Sequence, residues 1–389
     1  MRKFLKRLFL LVVCAQTTPV SADTPVYFAG LAYIGDASDM ARAAPYAASL
    51  IQDSKALTEY NGELIAAMRE ASVEDVLLET RSGRSTSGEA LSLALAITEE
   101  QFQAEDTGSG YYAVKATTFG QIVLFDFTEK RVISTVPFIT SYTDSPEEVD
   151  EAYKRQIYET VYFDRSKKIN IVNVFAARLS DVNFEKPFNS WNIRVRTVQQ
   201  TAKADGYLAT YGVDKDVFHT RLASQFSASM SQGLRIPVLP FTKGQAIGGA
   251  MALRFADAEA LQLELPPADY YVDLKLLGFN KKVMKQTDQM IYPSYIAGLR
   301  VSIGDVAFDE LLFSEKAQSG RVLKLSRNLD VNEWNEYKNS LTALSDEFCE
   351  QLAKPEKKWF KEKMFSKKSF KQMKKITKNL EQDIFDKLR

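Results

Sequence analysis

In two strand-like stretches of this chain an aromatic ring stands four residues ahead of an ammonium group: Tyr111 before Lys115, and Tyr271 before Lys275. On a strand, residues four apart share a face. Each pair therefore offers an apolar plate beside a cation, a combination that holds a peptide, an acidic partner or a sugar. The same residues can also serve structure alone, the lysine discouraging edge pairing and the tyrosine covering apolar surface. In the strand around Tyr271, Val272, Leu274 and Leu276 are apolar, so that face is expected inside and the Tyr and Lys outside.

Groups able to do covalent or metal chemistry are sparse. His219 is the only histidine, and it is expected as a satisfied or surface residue on a helix. The serine-rich Gly83–Gly88 stretch is not a G-x-S-x-G elbow. One His and one Cys beyond the N-terminal segment fall short of the three or four ligands a zinc site takes. Asp36 and Asp39 lack the spacing of a calcium loop. Gly244–Gly249 carries neither the dinucleotide fingerprint nor a phosphate-loop lysine. No metal and no cofactor is expected, and Cys349 is expected as a buried apolar residue. A pair of carboxylates leaves no local signature, so a carboxylate-based hydrolase stays as an alternative.

Charge is distributed unevenly. Lys354–Arg389 has 13 Lys/Arg against 5 Asp/Glu, whereas Asp23–Ala353 has 33 against 45. Within the basic tail, Phe370, Met373, Ile376 or Thr377, Leu380 and Ile384 recur at helical spacing. The composition suits an amphipathic helix docking on an anionic surface or acidic partner, with Trp359, Lys367, Lys371, Lys374 and Lys375 as contact residues. The other possibility is a helix packed on the chain's own acidic body.

The elements that must position these groups read as a tandem of two related α/β units, each an antiparallel-rich sheet backed by helices, plus the basic C-terminal helix. Residues 1–22 read as a secretory signal peptide: Arg2, Lys3, Lys6 and Arg7, then Leu8–Ala15, then Val20-Ser21-Ala22. The remainder has one cysteine and no glycosylation sequon, which suits a bacterial periplasm. No later apolar run reaches transmembrane length. The first unit is expected over 23–165, the second over 166–353 and the tail over 354–389. Gly88–Phe119 lies without a gap on Gly248–Phe279, with eight identical columns, which predicts an internal duplication in that register. Expected elements include a strand at Val26–Ile34, a helix at Ser49–Ala71, a helix opening at Ser145-Pro146 and a strand at Ile169–Ala177 that starts the second unit. A helix is also expected at Val213–Gly233 with Gly233 as its stop.

Ile236–Phe241 (IPVLPF), Ala268–Phe279 (ADYYVDLKLLGF) and Ser294–Phe313 (SYIAGLRVSIGDVAFDELLF) resemble the periplasmic α/β domain of the curli-secretion channel lipoproteins. More loosely, they resemble the N-terminal domain of the Tol–Pal β-propeller protein. Val13 stands before Cys14 where an acylation signal wants Gly or Ala, and Asn280–Ser294 is too short and lysine-rich for two membrane strands and a turn. The resemblance therefore implies an envelope-associated α/β domain rather than a pore. The expected function is a non-enzymatic periplasmic scaffold or assembly factor that contacts envelope proteins or an anionic envelope surface, not nucleic acid. A module binding cell-wall polymer is a further alternative beside the hydrolase.

Overall fold

The computed structural model describes residues 24–35, 37–71, 76–79, 91–182, 184, 192–241, 250–255, 260–327, 331–366 and 368–387. The stretch 1–22 read as a signal peptide, Gly83–Gly88, Gly244–Gly249 and Lys367 lie outside these. In chain order the first unit has β1 (Thr24–Ile34), α1 (Ala37–Ala43), α2 (Pro45–Gln52), α3 (Ser54–Ala71), β2 (Val76–Glu79), β3 (Leu91–Asp106), β4 (Tyr112–Asp126), β5 (Arg131–Asp144), α4 (Glu151–Phe163) and α5 (Ile171–Arg178). There follow β6 (Ile193–Gln200), α6 (Ala202–Thr210), α7 (Lys215–Leu234), β7 (Ala250–Arg254), β8 (Ala260–Glu264), β9 (Tyr270–Gln286), β10 (Met290–Asp305), β11 (Glu310–Val322) and β12 (Leu325–Ser326). The last helices are α8 (Glu333–Ala353), α9 (Lys357–Lys363) and α10 (Ser369–Lys387).

Side-chain caps decide where several helices begin, and they correct three expectations. The helix expected over Ser49–Ala71 breaks at Asp53, whose Oδ1 accepts from the amides of Lys55 and Ala56. Asn61 stays helical and spends its side chain on β1, accepting from Leu31 N at 3.0 Å beside Gly30, which sits at φ +101°. Ser145 does not open α4. That cap is Asp150, which accepts from Tyr153 N, while Pro146 O is taken by Tyr112 N. Ile169–Ala177 is not a strand: Asn170 caps α5 by accepting from Val172 and Asn173, and Ile171, Val172 and Phe175 pack in the first core. The first unit therefore continues through Val182, and the second opens with β6. Gly233 lies inside α7, where a Cβ would meet Cys349 O at 3.1 Å, and Arg235 takes the left-handed position beyond it.

The two sheets share one plan. The first runs β2-β1-β3-β4-β5, with β2 and β3 parallel to β1 and the rest antiparallel. The second runs β6-β9-β10-β11, β6 parallel to β9, and Leu239 bridges Arg194 of β6 in parallel where β2 flanks β1. Even the bulges coincide. Thr98 and Ile133 are the extra residues in the first sheet, Leu277 and Leu312 in the second, 179 positions on in each case. Ala29 and Arg196 are likewise extra at matching points in β1 and β6. The ungapped register of 160 joins non-equivalent strands: it sets β4, with antiparallel neighbours on both sides, on β9, which has β6 parallel beside it.

One face of each sheet packs on helices. The other face of the first sheet is covered by the β7–β8 hairpin. β7 pairs with the end of β1 and β8 with the start of β5, so β1, β3, β4, β5, β8 and β7 close into a ring. Its interior holds Ala32, Ala94, Ala96, Val123, Phe125 and Val132 of the sheet against Met251, Leu253, Leu263 and Leu265. The alanines leave the depth that the hairpin's larger side chains fill.

The tail is part of the second core. Phe360, Met373, Ile376 and Leu380 are buried there with residues of α8 and β11, Thr377 Oγ1 donates to Leu352 O at 2.8 Å, and Met364 bridges Ala317 of β11. The apolar stripe read as a docking face is thus turned inward, because the adjoining sheet and α8 offer an apolar seat that solvent does not.

A polar seam joins the units. Val238 N donates to Thr135 O, whose own hydroxyl donates back to Val238 O at 2.6 Å. Buried Arg178 pairs with Asp181 at 2.7 Å, and Arg235 reaches the same carboxylate at 2.8 Å. Arg221 of α7 pairs with Glu99 of β3, and Asn335 of α8 donates to Glu105. Lys338 of α8 lies in this seam. Burial pushes its pKa down to about 8, Arg221 and Lys115 add to the drop, and Glu105 opposes it.

Three measurements check this architecture. Leu253→Ala should cost about 2–4 kcal/mol and speed hydrogen exchange in β1 and β3; fast exchange confined to β9 and β10 would refute the closed ring. Met373→Asp should lower the melting temperature by about 10 °C or more, since burying an unpaired charge costs several kcal/mol. In contrast, the triple variant Lys371→Glu, Lys374→Glu and Lys375→Glu should shift it by only about 2 °C. Equal shifts would place the stripe in solvent. Lys338 loses its proton near pH 8 when folded but near 10.4 when unfolded, so the unfolded chain holds more protons in between and stability rises with pH there. Lys338→Met should raise stability at pH 7 by roughly 1 kcal/mol after allowance for solvent screening and flatten the rise between pH 7.5 and 9.5. An unchanged slope would mean that the ammonium is solvated.

Candidate functional site

The plan shared by the two sheets makes their uncovered faces comparable row by row. Across the first sheet runs Ala32–Ala96–Gln121–Pro137, and the corresponding row of the second is Gln199–Lys275–Arg300–Lys316. Beside it, Ala94–Val123–Thr135 corresponds to Asp273–Ser302–Ser314. The next row, Ser92–Phe125–Val132, corresponds to Tyr271–Gly304–Leu311. Among the described residues, the face that is apolar and roofed in one sheet is largely polar and has no covering hairpin in the other.

Three cations therefore stand side by side on adjacent strands, about 5 Å apart. Lys275, Arg300 and Lys316 have no ion-pair partner among the described residues. The neighbouring acid, Asp273, is already committed: Arg196 Nε donates to its Oδ1 at 3.0 Å, a second guanidinium nitrogen binds Oδ2, and Thr197 Oγ1 donates at 2.8 Å. Arg196 is the bulged residue of β6, which aims it across the face. Its guanidinium lies 3.5 Å from the ring centre of Tyr271. That ring in turn covers Gly304, where a Cβ would fall 2.2 Å from it, so only glycine fits beneath. Past this row, Leu311 is 58% and Phe308 81% exposed. The face thus has a cationic middle and an apolar end, separated by a rigid stacked aromatic.

The expected division of β9 holds in direction only: Val272, Leu274 and Leu276 are in the core and Tyr271 and Lys275 are on the other face, but Tyr271 is buried there beneath Arg196 and Lys275 is half-buried. The two Tyr/Lys pairs do not occupy equivalent positions. Tyr111 precedes β4 in an exposed loop, and Lys115 lies on β4 between Gln103 and Thr143, near Lys338 at the seam. Sequence reasoning missed Arg196, Arg300 and Lys316. The alternation Leu299-Arg300-Val301-Ser302-Ile303 carried the signal for Arg300, since it gives β10 one wet face.

Of the tail residues, Trp359 is half-buried, its Nε1 donating to Glu347 at 2.8 Å, while Lys371, Lys374 and Lys375 are exposed. His219 meets Gln200 Oε1 at 2.5 Å. Cys349 is fully buried, which pushes its thiol pKa up. Glu100, a buried carboxylate that sequence reasoning did not single out, anchors α2. It accepts from Tyr46 N at 2.7 Å, Ala47 N at 3.1 Å and Tyr162 OH at 2.6 Å, and burial raises its pKa against those donors. Among the described residues no cluster of His, Cys, Asp or Glu is arranged to hold a metal, and no helix is long and apolar enough to cross a membrane.

No protein-family model matches the chain, and no curated protein matches it. Among solved structures, it is similar to a hypothetical protein from Chlamydia trachomatis, at 11% identity and a TM-score of 0.25, over 42% of this chain and 92% of that one. It is also similar to a minor lipoprotein from Acinetobacter baumannii, at 9% identity and a TM-score of 0.21, over 41% of this chain and 87% of that one. At those scores neither carries an argument about fold or function, and the likeness to curli-secretion domains remains one of sequence motifs.

Proposed function

We propose that this chain is a non-catalytic scaffold or assembly factor of the bacterial envelope, exported by its N-terminal signal sequence, which captures an acidic protein partner on the open face of its second sheet. In this reading the two units are copies of one fold. The first copy is closed by the β7–β8 hairpin, and the second keeps the same face free for a partner. The observation that carries the proposal is the row Lys275–Arg300–Lys316. Like charges directly opposite one another destabilise a sheet by a few tenths of a kcal/mol per pair, and an acidic partner would offset that cost. Leu311 and Phe308 supply the apolar and aromatic anchors that interfaces favour, and the cations would speed encounter and set orientation.

The test is cross-linked capture from envelope extract, using the full chain and the triple variant Lys275→Glu, Arg300→Glu and Lys316→Glu. The wild type should retain an acidic protein that polyglutamate displaces. The variant should lose it by about tenfold or more while melting within roughly 2 °C of the wild type. Capture that is equal in the two proteins would remove this face from consideration.

A further inference from the structure

We infer that the far end of the second sheet is an arm that docks on an anionic membrane surface. This surface is separate from the open face and rests on different residues. β9 and β10 run on past the body, and every residue from Asn280 to Gln289 is exposed. The arm bears apolar side chains that a solvated hairpin does not need: Val283 is 45%, Met284 56% and Val322 53% exposed. Met284 is an additional bulge in β9, with no counterpart in the first sheet, and it interrupts the pairing between Lys285–Tyr292 and Val283–Pro293.

Charge singles out the same place. Lys281 and Arg321 are held by Glu333 and Glu336 at the base of the arm. Farther out, Lys282, Lys285, Lys324 and Arg327 have no ion-pair partner among the described residues, and Asp288 is the only acid in 280–291 and 320–327. Lys285 lies 5.8 Å from the ring of Tyr292, a pairing of aromatic body and ammonium suited to the headgroup level. At the equivalent end of the first sheet, Glu105 and Asp106 stand where the arm has Lys285 and Gln286, and Glu105 is tied to Asn335. The change from acidic and docked to basic and free is confined to the second sheet.

The shape selects the occupant. An exposed hairpin with Val283 and Met284 between Lys282 and Lys285 can enter a planar headgroup layer without a matching cavity, its apolar side chains shallowly buried and its lysines beside lipid phosphates. The arm is far too short to span a bilayer. Its docking would leave the Lys275 row, nearer the body, free for a protein partner.

Vesicle sedimentation with the full chain tests the inference. At about 50 mM salt, where surface charges are weakly screened, the chain should bind vesicles containing roughly one-third phosphatidylglycerol at least about tenfold more tightly than pure phosphatidylcholine vesicles. About 0.5 M salt should release it. Lys282→Glu with Lys285→Glu should weaken binding about tenfold or more, and Val283→Ser with Met284→Ser severalfold. The tail variant Lys371→Glu, Lys374→Glu and Lys375→Glu should change it less than about threefold. Met284→Trp provides a readout that does not depend on disrupting the arm: its emission should shift to the blue with anionic vesicles only. Equal binding to both lipids, an unshifted Met284→Trp emission, a tail variant as weak as the arm variant, or an arm that binds an acidic protein and no vesicles would each overturn the inference. Partner capture by the Lys282→Glu, Lys285→Glu variant should remain, so failure here is distinguishable from failure of the open-face proposal.

Discussion

The non-helical face of the first sheet depends on a single contact between layers: the β7–β8 hairpin lying over a patch of alanines. Ala32, Ala94 and Ala96 bury little area themselves, but their size lets Met251, Leu253 and Leu263 approach the sheet closely. Without that roof, Val123, Phe125 and Val132 would face water on a broad strand surface, a liability for any antiparallel sheet. The ring closes at two seams. Tyr33 and Ile34 pair with Arg254 and Leu253, and Glu264 N donates to Lys130 O at 2.7 Å. Arg254 Nε adds a bond to Gly35 O at 2.8 Å. Because the hairpin is encoded after α7, the first core is completed by chain from the second half.

Among the described residues no such roof covers the second sheet, and its composition differs accordingly. There the positions of the alanines carry Gln199, Asp273 and Lys275, and that of Phe125 carries Gly304. One backbone plan thus supports a closed barrel-like core in one unit and a half-solvated sheet in the other. The bulges at Ala29 and Arg196 show how small the local change is. The same extra residue is an alanine in one sheet and, in the other, the guanidinium that organises Asp273 and Tyr271.

Fold class and most strands were legible in the sequence because period-2 alternation is local. Two kinds of information were not. The first is the layer a segment joins. Ile169–Ala177 is rich in β-branched residues and reads as a strand, yet Asn170 supplies a cap and Ile171, Val172 and Phe175 fall on one helical face beside the first core. The tail stripe was seen, but not the seat beside α8 that it fills. The second is register. The identities at 160 mix apolar positions that alternate in the same phase on non-equivalent strands. The bulges that reveal a spacing of 179 exist only once the hydrogen bonds are drawn. At the candidate site, Tyr271 and Lys275 could be found from their spacing. Arg300 and Lys316 become their neighbours only through cross-strand pairing, which no single strand records.

The position of the hairpin in the chain has a consequence for the order of folding. β1 begins at Thr24, and the strand that must pair with its end lies more than two hundred residues later. A polypeptide emerging N-terminus first can assemble β1, β3, β4 and β5 on their helices, but the alanine face stays bare until β8 has emerged. Contacts this distant in sequence are slow to form, and an uncovered sheet is prone to wrong pairing in the interval. Synthesis therefore passes through a half-roofed state whose lifetime is set by the arrival of Ala250–Glu264.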